Sequence, residues 1–341
     1  MKKKIEKALK NVFFSEGKNI IEYGLVKTID LLEDNHIVIC LKLPNPTMHL
    51  KKKIINNIHH SINKQIHEKK KISITIEGPS NGKTKHSIKN ILAVASGKGG
   101  VGKSTIASNL AVSLVKMGFN VGLLDADIYG PSIPLMFDIQ TKDFSLLQTK
   151  KNIIYPINRY GVKIVSIGFF LKNGQALVWR GPMVSKVIMQ FIHETDWGSL
   201  DFLIIDLPPG TGDIHLSLLQ EVSLKGIVIV STSQKIALSD VHRTVEMFRM
   251  KSIYVPITGI IENMSYFFHE EMKKKYFFFG KHGVKDFSKQ MDIFFLGEIP
   301  MVPSLRKYSD LGIPAVMKNE KIRSIFTTIT NNILNQLKSI Q

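Results

Sequence analysis

A chain of 341 residues exceeds the length at which a single hydrophobic core usually stops growing, so one large domain with a smaller companion is expected. An apolar fraction of 44% excludes disorder over most of the length, and a single cysteine, Cys40, excludes an intrachain disulfide or a multi-cysteine metal site within one chain. Lys plus Arg number 46 against 28 Asp plus Glu, a net +18, but the lysines lie in short scattered runs (51–53, 69–71, 273–275), which reads as a solvated basic surface and not as a specific nucleic-acid interface.

The opening residues are basic, yet Glu6, Lys7 and Lys10 interrupt any apolar leader core. No run reaches the ~18 apolar residues of a membrane span, so a cytoplasmic protein without a transmembrane segment is expected. Residues 1–78 read as a small α+β domain. Ile5, Leu9 and residues 12–14 suggest a short helix running into a turn. Ile37, Ile39, Leu41 and Leu43 alternate as one face of a strand that also carries Cys40; Ile54, Ile55, Ile58, Ile62 and Ile66 recur at helical spacing, and residues 72–76 form a second strand. The polar run 78–85 holds turn formers and no apolar anchor, which places a linker at 79–90.

From residue 91 to 341 the pattern changes. Runs 91–95, 121–125, 162–167, 202–206, 226–231 and 257–261 are short, apolar and separated by helical segments. Several are apolar on both faces, as buried parallel strands are, so a doubly wound α/β domain with a mostly parallel sheet is expected. Residues 319–341 place Ile322, Ile325, Phe326, Ile329, Ile333, Leu334, Leu337 and Ile340 on one broad face, a helix that docks on its own domain or lies on a membrane surface.

Gly97, Gly102, Lys103 and Ser104 satisfy G-x-x-x-x-G-K-S/T between a strand-like and a helix-like run. Gly97, Gly99, Gly100, Val101 and Gly102 let successive N–H groups turn inward around phosphate, and the helix that follows adds its own donors and dipole. The pattern assigns Lys103 to the β and γ oxygens of ATP and the Ser104 hydroxyl to Mg²⁺, with Thr105 meeting the α-phosphate or capping the helix. Asp206 closes an apolar strand in the position of a magnesium-side acid. Asp125 and Asp127 close another, on one side because the side-chain period is two; one can orient the attacking water and the other hold the loop or the metal. Lys98, a second lysine in the loop, either reaches a phosphate bound by a partner subunit or lies on the surface.

With these residues the chain resembles the Mrp/ApbC iron–sulfur cluster carrier family, ATPases of the deviant-Walker-A group. The resemblance rests on the loop, on Asp125 to Ser132 (D-A-D-x-x-G-P-S), Trp179 to Pro182, Asp206 to Asp213, Glu262 to Tyr266 and Phe295 to Pro300. Residues 1 to about 76 resemble the small MIP18-like iron–sulfur assembly domain through Ile21 to Val26. The resemblance implies an Mg²⁺-dependent ATP hydrolase that forms a homodimer, with Lys98 crossing to the partner's ATP. It implies Asp127 as the acid that positions water, Asp206 on the magnesium side, Asn263 as an adenine contact and residues 210–213 as the γ-phosphate sensor.

The family usually places C-P-x-C after E-N-M-S-Y-F, and two subunits bridge an iron–sulfur cluster through those thiolates. Here the residues are His269, Glu270, Glu271 and Met272. Met and Glu are poor substitutes for soft thiolates, while His269 either ligates or is a polar loop residue. Two readings follow: a carrier that passes clusters to apoprotein clients, or an ATP-switched scaffold in cluster assembly that holds no cluster itself. A DNA-partition ATPase is a third, prompted by charge alone.

Overall fold

The computed structural model describes all residues except 16–17, 33–35, 43–47, 67–70, 78–86, 129, 141–152, 171–180, 251–252 and 340–341. The chain divides into two units, Met1–Thr84 with Gln220–Ser223, and Lys85–Leu219 with Leu224–Gln341. The linker placed at 79–90 falls mostly outside the described residues, but its last part is strand, because β6 begins at Ile88.

In the first unit α1 (Lys2–Leu9) runs into a short ribbon of β1 (Phe13–Ser15) and β2 (Lys18–Asn19). A three-stranded sheet follows from β3 (Val26–Leu32), β4 (His36–Lys42) and β5 (Lys71–Glu77), with α2 (Met48–Gln65) between the last two. Strand β4 is central, antiparallel to β3 and parallel to β5. Its alternation decides what is buried: Ile37, Ile39 and Leu41 join Ile5 and Leu9 of α1 and Ile54, Ile58 and Ile62 of α2 in one core. Cys40 points to the other face and is half-buried.

The second unit follows a βα rhythm. Its elements are β6 (Ile88–Ala95), α3 (Lys103–Lys116), β7 (Val121–Asp125), α4 (Ile133–Met136), β8 (Ile157–Arg159), β9 (Val162–Ser166), α5 (Gly181–His193), β10 (Leu200–Asp206), α6 (Asp213–Glu221), β11 (Gly226–Ser231) and α7 (Lys235–Arg249). Then come β12 (Ile257–Glu262), β13 (Phe267–His269), β14 (Lys274–Tyr276), α8 (Gly283–Gln290), β15 (Phe295–Glu298), α9 (Pro303–Asp310) and α10 (Glu320–Ser339). Among the described residues the main sheet has the order β15-β12-β11-β6-β10-β7-β9-β8, parallel except for the β8–β9 pair at one edge. The central strands are buried on both sides because alternate residues meet different layers. Leu92 and Val94 of β6 face the cluster built on α3 and α10, while α7 and α8 pack over β11 and β12. Helix α10 buries Ile322, Phe326, Ile329, Ile333 and Leu337 in that same core, so its stripe is a packing face of its own unit.

Candidate nucleotide site

The loop between β6 and α3 is shaped by contact as well as by glycine's backbone freedom. Gly100 and Gly102 have φ of 82° and 84°, a region that side chains with a β-carbon enter under strain. A β-carbon on Gly97 would lie 2.5 Å from the backbone carbon of Asp240 and the nitrogen of Val241, so α7 packs directly on the loop. A β-carbon on Gly99 or Gly100 would meet nothing within 4 Å, which leaves the loop's outer side open. No side chain caps α3 at Gly102, so the unpaired N–H groups of its first turn stay available to an anion.

Sheet order brings acids to this loop. Strand β10 lies between β6 and β7, with Asp206 in register with Val94 on one side and Asp125 on the other. Lys103, 6% exposed, places its Nζ 2.7 Å from Asp206 Oδ1, 3.5 Å from Asp127 Oδ2 and 3.3 Å from Ser104 Oγ. Asp206 Oδ2 is buried and accepts no hydrogen bond. That orphan oxygen, close to a half-buried Ser104, fits the hard oxygen donors that a magnesium ion or its water shell requires.

The two acids that close β7 part company. Asp125 is fully buried and accepts hydrogen bonds from the Asp127 N–H at 3.2 Å, the Ile133 N–H at 3.3 Å and the Ser166 hydroxyl at 2.9 Å. It therefore holds the loop, while Asp127 turns toward Lys103. Burial, and then the charge of Asp206, push the Asp125 carboxyl up to about 8, against the pull of Ser166 and Lys103. Burial also raises Asp127, with Lys103 opposing it.

Behind Gly102 a cavity of about 470 Å³ is lined by Thr105, Asn263, Met264, Pro300, Met301 and Leu305 among others. Mostly apolar walls with one amide suit a purine base. Asn263 is buried, and its Nδ2 donates to the Val101 carbonyl at 2.8 Å, which ties the cavity to the phosphate loop. The rim is stitched by Asn263 N–H to the Ser231 carbonyl at 2.8 Å and Ser265 N–H to the Ile299 carbonyl at 3.0 Å. A larger cavity of about 610 Å³, lined by Arg249, Tyr254, Lys285 and Lys289, contains none of these residues and lies where β12 and β15 begin.

Of the remaining sequence-predicted residues, Lys98 is half-buried and makes no ion pair among the described residues. Gly210 donates its N–H to the Ser96 carbonyl at 2.9 Å, joining the expected γ-phosphate sensor to the phosphate loop; the Asp213 side chain, Trp179 and Arg180 lie outside the described residues. His215 carries no sequence mark, yet it is buried, donates from Nε2 to the Pro208 carbonyl at 2.9 Å and is pushed toward its neutral form by burial. His269 closes β13, where its Nδ1 accepts the Met272 N–H at 3.3 Å. Among the described residues no three His, Cys, Asp or Glu side chains are grouped to hold a metal ion.

Comparison with known proteins places this arrangement. The family model for ParA, described as NUBPL iron-transfer P-loop NTPase, matches residues 87–337. The chain is 46% identical to an iron-sulfur cluster carrier protein of Aquifex aeolicus over 224 residues, which are 65% of this chain and 60% of that one. It is 44% identical to the iron-sulfur cluster transfer protein NUBPL of Dictyostelium discoideum over 223 residues, 65% of this chain and 68% of the other. A nucleotide-binding protein of Archaeoglobus fulgidus, solved with ADP, superposes with a TM-score of 0.59 at 35% identity and covers 71% of this chain and 93% of its own. The cell division ATPase MinD of Pyrococcus furiosus shares the fold at 22% identity, with a TM-score of 0.54 over 73% of this chain and 99% of its own.

Proposed function

This chain belongs to the ParA/NUBPL family of iron-transfer P-loop NTPases, and on that premise we propose that it binds and hydrolyses ATP as a homodimer and serves in iron–sulfur cluster assembly or in transfer to apoproteins. The supporting observation is the convergence of Lys103, Asp127 and Asp206 at one end of the sheet, beside a phosphate loop whose Gly102 also lines a base-sized cavity. Lys103 neutralises the β and γ oxygens. Asp127, which faces Lys103 while Asp125 is held by Ser166 and Ile133, orients the attacking water. Ser104 and Asp206 hold Mg²⁺, which when bound spreads the charge of the triphosphate. Lys98, which makes no ion pair among the described residues, extends to the nucleotide of the second subunit.

The cluster is cargo in this reading, and one observation favours the scaffold form of the role. At the place of the family's thiolates stands a hairpin turn whose histidine already accepts a backbone hydrogen bond, and the single cysteine belongs to the first unit. Anaerobic reconstitution with iron and sulfide, followed by iron counting and visible spectroscopy with and without ATP, separates the two forms. Stoichiometric iron in either state makes the chain a carrier; iron in neither makes it a scaffold that relies on a partner's cysteines. Magnesium-dependent phosphate release is expected in both forms, and its absence overturns the ATPase reading.

A further inference from the structure

The loop that joins β10 to α6 is anchored at its base and open at its tip. Leu207 donates its N–H to the Val94 carbonyl at 3.0 Å, and Gly210 donates its N–H to the Ser96 carbonyl at 2.9 Å. Thr211 and Gly212 are exposed, and a β-carbon on Gly210 or Gly212 would meet nothing within 4 Å. Between the two anchors stand Pro208 and Pro209, which have no N–H to donate, so the carbonyl of the buried Pro208 is the handle left for a further tie. His215, in the first turn of α6, supplies that tie: its Nε2 donates to the Pro208 carbonyl at 2.9 Å, while its backbone N–H donates to the Gly212 carbonyl at 3.0 Å. One residue thus grips the loop near both of its ends.

The imidazole is 1% exposed, and its Nδ1 is buried without a hydrogen-bond partner. A side chain needed only to fill this space would be apolar and would leave no nitrogen unsatisfied, so the ring is explained by the bond its other nitrogen makes. Because a carbonyl can only accept, Nε2 carries the proton in the neutral ring and Nδ1 the lone pair. Burial, the largest influence, drives the ring toward that neutral form; the Pro208 and Gly212 carbonyls oppose it, and the charge of Lys103 on α3 adds to the effect of burial. We propose that His215 is a positioning residue for ATP hydrolysis: by holding the Pro208 carbonyl it fixes the 208–212 loop, so that the open tip meets the γ-phosphate in a single arrangement. It acts through the loop and not on the reacting atoms. The loop leaves directly from Asp206, the partner of Lys103, and among the described residues it contributes nothing to the base cavity. Play at Pro208 therefore reaches the γ-phosphate end of the site and spares the rest of the nucleotide.

This inference rests on the ATPase reading above, and its test separates the two. Steady-state phosphate release with magnesium and ATP, and calorimetry with ADP, are measured on the full-length protein. His215→Ala and His215→Asn are expected to lower kcat about tenfold, with KM for ATP and ADP affinity within about twofold of wild type, since ADP has no γ-phosphate for the loop to meet. His215→Gln, whose amide nitrogen stands where Nε2 does, is expected to recover most of the lost kcat. Urea unfolding reports whether each variant is folded, and His215→Leu, which fills the space without a donor, replaces any that is not and is expected to match the Ala variant. Wild-type kcat in a folded Asn or Leu variant, equal losses in the Gln and Asn variants, or ADP affinity that falls in step with kcat overturns this role for His215 and leaves the ATPase reading standing. No phosphate release by the wild type overturns that reading and this role with it.

Discussion

Replacing Lys103 by Ala tests the site at its centre. The ammonium is nearly buried and sits 2.7 Å from Asp206, which is itself fully buried, so truncation leaves a carboxylate without its cation in a region of low polarity. Removing one partner of such a pair costs about 3–5 kcal/mol. The cost must depend on pH, and the sign follows from the acids nearby. Asp125 is raised from 3.8 to about 8, so between those values the folded chain holds a proton that the unfolded chain has released, and stability falls as pH rises. Lys103 pulls both Asp125 and Asp127 downward. Without it both rise further, so the folded variant keeps the Asp125 proton above about pH 8 and its loss of stability extends to higher pH. Urea unfolding of wild type and variant should therefore show a gap that widens as pH rises through about 8. Calorimetry at neutral pH should show no measurable ATP binding by the variant. A gap that does not change with pH, or ATP affinity equal to that of the wild type, refutes this account of the site.

Two further substitutions separate the roles of the residues around it. Asn263→Ala removes the 2.8 Å hydrogen bond to the Val101 carbonyl together with the amide in the base cavity; KM for ATP should rise about tenfold while kcat at saturation stays near wild type, read from steady-state phosphate release. A fall in kcat at constant KM would place Asn263 in the chemical step instead. Lys98→Ala removes a half-buried lysine with no ion pair among the described residues, so stability should move by less than about 0.5 kcal/mol and ADP affinity should hold, while ATP-dependent dimerisation in sedimentation velocity is lost. Dimerisation equal to that of the wild type would confine Lys98 to its own loop.

The central strands were readable because burial on both faces writes continuous apolar runs: 121–125 and 226–231 coincide with β7 and β11, and 202–206 lies within β10, which begins at Leu200. Edge strands have only part of that signal. In β3 Ile29 is buried while Lys27, Asp30 and Leu31 are exposed, and β8 and β15 are short, so none of these stands out from its surroundings. The phosphate loop was legible because its chemistry is local, a run of glycines before a lysine. The base cavity was not, since Met136, Leu305 and Arg306 meet Asn263 only through tertiary packing. The division of labour between Asp125 and Asp127 was equally hidden: both are acids at a strand end, and Ser166, a distant residue, identifies the one that is held.

The position of β6 in the middle of the sheet also bears on how the chain must be made. This strand, which carries the phosphate loop, is flanked by β10 and β11, so a bond such as that between Asn90 and the Asp201 carbonyl joins residues 111 positions apart. A ribosome adding about 5–20 residues each second needs roughly 6 to 22 s to supply the first of those neighbours. During that interval an aliphatic strand waits in the nascent polypeptide with both edges unclaimed, a stage at which chaperone occupancy should be greatest.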